Sequence, residues 1–523
     1  MTPTKRHSAM AISNQVTQSA PANVIPVTCP ADGRVVGSIP VQTADDVAAV
    51  AERLRAAQPE WEALGSQGRG KWLGRWRDWI LDNRLELLET VQAEGGKSWG
   101  DATIEALAAV EAINYNVKVA ARQLRDDHPS PAGIANRLKR LTVSHRAYPL
   151  VGLITPWNYP LAMPMLDCPA ALMAGCAVLS KPSELTPLSW IAAVEGWNQI
   201  GAPDVLEAVT GAGAAGAAVV DAVDMVQFTG STATGRKVGA RAGERLIPAS
   251  LELGGKDAMI VLADADIERA TNGAVWGAFF NAGQSCTAVE RVYVESVVYD
   301  QFLDRLVAKT LNLRAGMDRP GRYATDFGAL ATEEQIRIVE RHVEEARAAG
   351  ARTLTGGKRT GDGNVYEATV LVDVGNDMAC MREETFGPTL PVMRVADSDE
   401  AVRLANDSTY GLSASVWSKD QAKARAVARR LNVGAVNINS VMMNVFQFPI
   451  PQAGWITSGV GARAGANGVV KYTRPQAIVS DLVEMKSEIF WYPHTSRLGA
   501  LQERAVSLLG ARDMRRRLRG PKR

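Results

Sequence analysis

An α/β fold of two or three domains is predicted by two features of the sequence. Short apolar, β-branched runs (GLITPW, CAVLS, MVQFTG, AMIVLA and RVYVES) alternate with Ala/Arg/Glu-rich segments, the pattern of parallel strands joined by helical crossovers. The chain has 523 residues, 46% hydrophobic and 22% charged. At roughly 100–200 residues per domain this predicts two or three domains with substantial cores and excludes wholesale disorder.

Residues 42–125 come first and read as mostly helical. Apolar positions recur at 3.6 spacing through VAAVAERLRAAQPEWEAL, RWRDWILDNRLELLETV and IEALAAVEAINYNVKVAARQL. The segment DDHPSPAG breaks the pattern, and the polar-apolar alternation of RLTVSHRAYP then predicts an extended strand. KYTRPQAIVS near the end reads the same way. Between Val151 and Ser180 only Asp167 is charged, which satisfies the length rule for a membrane span. Pro156, Pro160, Pro164 and Pro169 recur too often for an uninterrupted helix, however, and Asn158 and Asp167 would be costly in lipid. The stretch is therefore read as buried strand, loop and short helix.

The net charge of +2 is unevenly distributed. Lys486 to Arg523 carries ten Lys/Arg against three Asp/Glu, leaving 48 against 53 in the preceding residues. A neutral-to-acidic body offers no basic face for nucleic acid. The N-terminus lacks the apolar run of a secretory signal. Cys29, Cys168, Cys176, Cys286 and Cys380 are sparse, with no CxxC or Cys/His clustering, so neither a metal site nor a disulfide framework is expected. The setting is read as reducing and cytoplasmic.

Several segments carry the residue types of a reactive site. Gly211, Gly213 and Gly216 fit GxGxxG, but a tight turn into a helix explains them equally well. In MVQFTGSTATGRKVG an apolar strand runs into Gly230 and Ser231, where a following helix would aim free N–H groups at a phosphate. A plain Ser N-cap is the competing reading. Glu252 precedes the Gly254-Gly255 pair, and Cys286 follows Gly283, Gln284 and Ser285 in a polar, turn-forming stretch that suits a thiolate nucleophile. None of the five histidines lies in these segments. A carboxylate must then do the proton transfer.

These motifs resemble the aldehyde dehydrogenase superfamily over about residues 30 to 480. TPWNYP, LSKPSELTPLS, FTGSTATG, LELGGKD, FNAGQSCTA, EETFGP and YGLSASVWS occur in the family's order. The resemblance implies a Rossmann-like cofactor domain (1–127 and 148–254), an α/β catalytic domain (255–454), a small β oligomerisation element (128–147 and 469–485) and a basic extension (486–523). It implies a Cys286 nucleophile, a Glu252 base, and an oxyanion held by the Asn158 amide and the Cys286 N–H. The product expected is a free carboxylic acid, since members that pass the acyl group to coenzyme A typically lack this glutamate. The resemblance puts Lys181 and Glu184 on the adenosine ribose, Trp157 beside the dinucleotide, Gly230 and Ser231 at the pyrophosphate, and Glu384 and Phe386 at the nicotinamide ribose. Glu184 favours NAD over NADP, because a carboxylate repels a 2′-phosphate, although NADP stays possible.

The chain also departs from the family. Where PFGGxKxSGxGRExG is frequent, it reads PQAGWITSGVGARAGANG, differing at Gln452, Ala453, Ile456 and Ala462, none of them a catalytic position. By analogy the loop Met442 to Pro451 lines the substrate entrance, and Phe446 and Phe448 with Met163, Met165 and Phe280 point to an aromatic or long-chain apolar aldehyde. No local arginine stands out for a dicarboxylic semialdehyde; succinate semialdehyde is the alternative substrate. The bridging element implies a homodimer or homotetramer. The tail looks like the C-terminal extensions of membrane-associated fatty-aldehyde members, with Trp491 and Tyr492 at an interface and Leu498, Leu501, Val506, Leu508 and Leu509 on one apolar face. A helix packed on its own oligomer is the alternative there, and a structural or membrane-docking member with little activity is the alternative for the whole chain.

Overall fold

The computed structural model describes residues 23–132, 136–361, 363–483, 486–488 and 491–508. The described residues from 23 to 125 and from 145 to 474 form one compact unit, and residues 126–144 with those from 475 onward form a second.

The first unit opens with a hairpin, β1 (Val24–Thr28) and β2 (Val35–Pro40), followed by four helices: α1 (Ala44–Ala63), α2 (Gly65–Asp82), α3 (Arg84–Gly95) and α4 (Trp99–Gln123). Local chemistry sets the first boundary. Thr43 Oγ1 accepts from Asp46 N–H at 3.2 Å and the Asp46 carboxylate accepts from Thr43 N–H at 2.8 Å, a reciprocal cap. Strand β3 (Lys139–Ala147) follows. The apolar, proline-punctuated stretch resolves as strand β4 (Leu150–Ile154), a loop, helix α5 (Ala162–Ala174) and strand β5 (Ala177–Lys181). No described helix is long and apolar enough to cross a membrane.

Helix α6 (Leu188–Gln199), β6 (Leu206–Ala208), α7 (Gly213–Ala222), β7 (Met225–Thr229), α8 (Thr232–Glu244) and β8 (Ala249–Glu252) complete a six-stranded sheet. Its order is Gly459–Val460, β8, β7, β4, β5, β6, all parallel except the first. Chain order reverses between β4 and β7. In open α/β sheets the crevice beyond the strand carboxyl ends at such a reversal is where ligands bind. Helices α1, α2 and α6 bring together Trp61, Trp76, Trp190 and Trp197, all buried and joined in edge-to-face pairs 5.4–6.1 Å apart. Every indole N–H finds an acceptor, as Trp76 does in Ala193 O at 2.8 Å.

A second, seven-stranded sheet contains β9 (Asp257–Val261), β10 (Val289–Glu295), β11 (Arg352–Thr355), β12 (Thr369–Val372), β13 (Thr389–Val395) and the strands Ser413–Trp417 and Ala435–Ile438. Its order is β11, β12, β13, β10, β9, Ser413–Trp417, Ala435–Ile438, with only β11 antiparallel. Helices α9 (Ile267–Phe279), α10 (Tyr299–Thr310) and α11 (Glu333–Ala348) pack on it.

β3 pairs with the strand Thr473–Asp481, the two segments read as extended from their alternation. In the tail a helix spans Ser496–Leu508, and Trp491, Tyr492, Leu501 and Val506 are exposed. Leu509 and the arginines beyond it lie outside the described residues.

Candidate active site

Three segments meet around one cavity, which is lined by Tyr159 from the first, Glu252 from the second and Cys286 from the third, with Trp157 and Asn158 outside the lining. The loop after β4 carries Trp157 and Asn158, and the end of β8 carries Glu252. A turn after α9 carries Cys286. Asn281, Ala282 and Gly283 take successive positive φ values of 53°, 56° and 72°, a costly run for the first two. Gly283 is required there, because a Cβ would lie 2.2 Å from Gly387 O. Gln284 pins the turn: its amide donates to Asn281 O and Ala329 O, each at 3.1 Å, and accepts from Ala331 N–H at 2.8 Å. Cys286, partly exposed, lines the cavity with Glu252, Thr229, Met163, Phe280 and Phe446.

Asn158 is buried and its Nδ2 donates to Gln284 O at 2.9 Å, which fixes the amide beside the Cys286 turn. A primary amide has a second N–H, so one donor remains for an oxyanion. The Asn158 backbone carbonyl accepts from Lys97 Nζ at 2.6 Å and Asn281 Nδ2 at 3.1 Å, while its side-chain Oδ1 has no hydrogen-bond partner among the described residues. Lys97 is itself paired with Glu105 at 2.8 Å, and Glu105 accepts from the Leu161 and Ala162 N–H groups at the start of α5. This support shell was not read from the sequence. Lys97 sits in the short loop between α3 and α4 and Glu105 in α4, and neither the loop nor the helical periodicity gives a sign of a buried ion pair.

Gly254 and Gly255 are needed for close approach: a Cβ on the first would meet Glu384 Oε2 at 2.3 Å, and on the second Cys286 O at 2.4 Å. Gly255 N–H donates to Glu384 Oε1 at 2.9 Å. The EETFGP loop is locked from below by Glu290, which accepts from the Thr385 and Phe386 N–H groups at 2.8 Å and pairs with buried Lys256 at 2.6 Å. Phe386, at φ 50°, meets Trp157 edge-to-face at 5.4 Å.

The remaining predicted cofactor residues stand at the carboxyl ends of β5 and β7, in the crevice of the six-stranded sheet. Lys181 Nζ lies 2.9 Å from Glu184 Oε2; the lysine is buried and the glutamate about one-third exposed. Ser231 caps α8 through Thr234 N–H at 3.3 Å, with Gly230 just before it, so the N-cap reading holds while the helix N-terminus opens at the crevice. Gly213 and Gly216 lie in α7, entered from Gly211 at φ 137°, which matches the turn-into-helix explanation. A helix N-terminus for a diphosphate and a cation-carboxylate pair for a ribose form a donor set that fits a dinucleotide.

Burial shifts Glu252 and Cys286 in the same direction. Burial pushes the Glu252 carboxyl up to about 7, against the pull of Arg463 and Lys471, and Glu252 Oε1 has no hydrogen-bond partner among the described residues. Burial pushes the Cys286 thiol to about 12, opposed by Arg463. Glu384 rises to about 8, through burial and the nearby Glu290 charge.

Two expected lining residues are corrected. Met165 is fully buried in the core of the first sheet and does not line the cavity, because two positions along α5 turn it about 200° from Met163. Phe448 is stacked on Tyr115 at 5.6 Å, outside the lining. The cavity gains Arg463, which comes from the segment where the chain departs from the family pattern and was not anticipated. The pattern PFGGxKxSGxGRExG has Glu at this position, and that charge reversal was the available signal.

Comparison with known proteins shows the family. The aldehyde dehydrogenase family model matches residues 16–478. A Methylomonas protein named 4,4'-diapolycopene aldehyde oxidase is 39% identical over 475 residues, covering 90% of this chain and 88% of its own. A Mycobacterium ulcerans (strain Agy99) protein, provisionally named succinate-semialdehyde dehydrogenase [NADP(+)] 2, is 38% identical over 86% of this chain and 87% of its own. The solved NAD+ complex of an aldehyde dehydrogenase from Bacillus cereus superposes with a TM-score of 0.83 at 31% identity, covering 88% of this chain and 93% of that one. The chain belongs to the aldehyde dehydrogenase family, an oxidoreductase family that acts on aldehydes with NAD or NADP.

Because Glu252 keeps its proton to about 7 in the folded protein but releases it near 4.5 when unfolded, stability falls as pH rises from 4.5 through 7. Over that window its burial costs on the order of 3 kcal/mol. Glu252→Gln removes the titration. Its unfolding free energy relative to wild type should therefore improve by about that amount between pH 4.5 and pH 8 in urea melts; an unchanged difference contradicts the buried-carboxylate reading.

Proposed function

We propose that the protein oxidises an apolar aldehyde to its carboxylic acid, with Cys286 as nucleophile and Glu252 as base. The observation that carries this reading is the convergence of Cys286, Glu252 and a cavity lined by Met163, Leu166, Phe280, Leu412, Met442 and Phe446. The Cys286 sulfur, as thiolate, bonds to the aldehyde carbon. The Asn158 amide, with the Cys286 N–H, holds the oxyanion. A bound NAD or NADP supplies the two-electron acceptor for the step that turns the thiohemiacetal into a thioester. Glu252 then takes a proton from water as the water oxygen bonds to the acyl carbon, and the C–S bond breaks to restore Cys286. A base near 7 suits that step at physiological pH.

Glu184, close to Lys181 and partly exposed, supports a preference for NAD. A semialdehyde carrying a carboxylate is the second reading, favoured by the Arg463 guanidinium in the cavity. That charge is already matched by Asp167 at 3.1 Å, so the apolar reading is preferred. The ribbon of β3 and Thr473–Asp481, with Ile478 and Val479 exposed, supports a homodimer or homotetramer; light scattering should give a mass above the monomer, and a monomer contradicts this. The unpaired cysteines support a cytoplasmic location, and the exposed Trp491 and Tyr492 support a peripheral membrane contact that liposome flotation of the full chain would detect.

The main test follows NADH and NADPH formation at 340 nm with wild type, Cys286→Ala and Glu184→Gln across long aliphatic, aromatic and carboxylated aldehydes. Wild type should favour the apolar aldehydes with NAD, Cys286→Ala should lose at least about 10⁴-fold, and Glu184→Gln should gain roughly tenfold toward NADP. A preference for succinate semialdehyde overturns the apolar reading alone. Retained activity in Cys286→Ala overturns the mechanism.

A further inference from the structure

Arg463 is a buried cation that none of the sequence motifs anticipates. It is 5% exposed and lines the same cavity as Cys286 and Glu252. One terminal nitrogen donates to Thr229 Oγ1 at 2.7 Å and lies 3.1 Å from Asp167 Oδ2. The other is 3.8 Å from Met163 Sδ, and Nε has no hydrogen-bond partner among the described residues. Thr229 is the register partner of Glu252 on the adjacent parallel strand. Register partners project to the same face of a sheet, so the guanidinium is seated beside the carboxylate.

A second tier holds it there. Asp167 accepts from Tyr472 OH at 2.9 Å and Lys471 Nζ at 3.3 Å, and Lys471 also donates to Gln227 Oε1 at 2.8 Å. Burial opposes the charge on Asp167, but Arg463 and Lys471 keep its carboxyl below the usual range. A carboxylate held by two donors on one oxygen and facing the guanidinium with the other fixes an arginine far better than solvent does.

We propose that Arg463 is a positioning residue of the active site, a fixed positive charge pinned by Asp167 and Thr229 in the cavity of Cys286 and Glu252, through which it acts. This rests on the roles given above to those two residues. Among the charges that act on Cys286, Asp257, Glu384 and Glu252 oppose a thiolate, and Arg463, which lines the same cavity, favours one. Those facing Glu252 are Arg463, Lys471 and Asp167. Lys471 therefore partly covers for a missing Arg463 at the carboxylate, but nothing in the first group covers for it at the thiol. Asp167 opposes Arg463 at Glu252 and restrains its position.

The test reads the thiol directly, with no aldehyde or cofactor. The rate of Cys286 alkylation by iodoacetamide, located by peptide mass spectrometry, is followed from pH 7 to 10 in wild type, Arg463→Gln and Arg463→Lys. Arg463→Gln should react at least about tenfold more slowly at pH 8, one unit of upward shift, and Arg463→Lys should stay within about threefold of wild type. The acid limb of thioester hydrolysis should move up in Arg463→Gln by a smaller step. Should Arg463→Gln not fold by circular dichroism, the comparison is made between Asp167→Asn and Asp167→Asn/Arg463→Gln, the double variant being the slower. Equal alkylation rates with and without the guanidinium overturn the proposal. Because alkylation needs no turnover, failure of the aldehyde panel would be a separate result.

Discussion

The site depends on one constraint, a buried carboxylate and a largely buried thiol facing the same cavity. Glu252 ends a strand of the six-stranded sheet, and Cys286 sits on a turn feeding the seven-stranded one. Burial raises both groups, to about 7 and about 12. A carboxylate near 7 can lose and regain a proton during turnover, whereas a surface glutamate near 4.5 is too weak a base. What the structure must then supply is rigidity, because a loose cavity would hydrate and return both groups to ordinary values.

That rigidity comes from buried charges placed beneath the loops. Glu290 and Lys256 anchor the loop of Glu384 and Phe386, Lys97 and Glu105 anchor the loop of Asn158, and Asp167 anchors Arg463. Each anion also accepts backbone N–H groups or further donors, which is the condition under which a buried ion pair is tolerated. The glycines belong to the same scheme. At Gly254 and Gly255 the Glu384 carboxylate and the Cys286 carbonyl come closer than any side chain would permit. The site is thus assembled by backbone approach from above and charge pairing from below.

Much of this was legible in the sequence where the information is local. Alternating runs marked β4, β5, β7, β9 and β10, prolines marked the stretch around α5 as non-membrane, and ordered motifs brought Asn158, Glu252, Cys286 and Glu384 to one region. What failed was orientation and long-range partnership. Met165 and Met163 look equivalent as letters, yet the helical turn sends one to the core. Phe448 follows the short turn Met443–Phe446 and finds Tyr115 instead of the cavity. Asp167 looked only like a cost in an apolar run, since its partners Arg463, Lys471 and Tyr472 lie some three hundred residues downstream.

The central claim, that Cys286 carries the acyl group and Glu252 drives its release, is tested most directly by trapping. Glu252→Gln incubated with an apolar aldehyde and NAD, then quenched in acid and digested, should show the acyl mass on the peptide containing Cys286, with one NADH formed per subunit and little beyond. An unmodified Cys286 peptide, or steady turnover at the wild-type rate, would contradict the account.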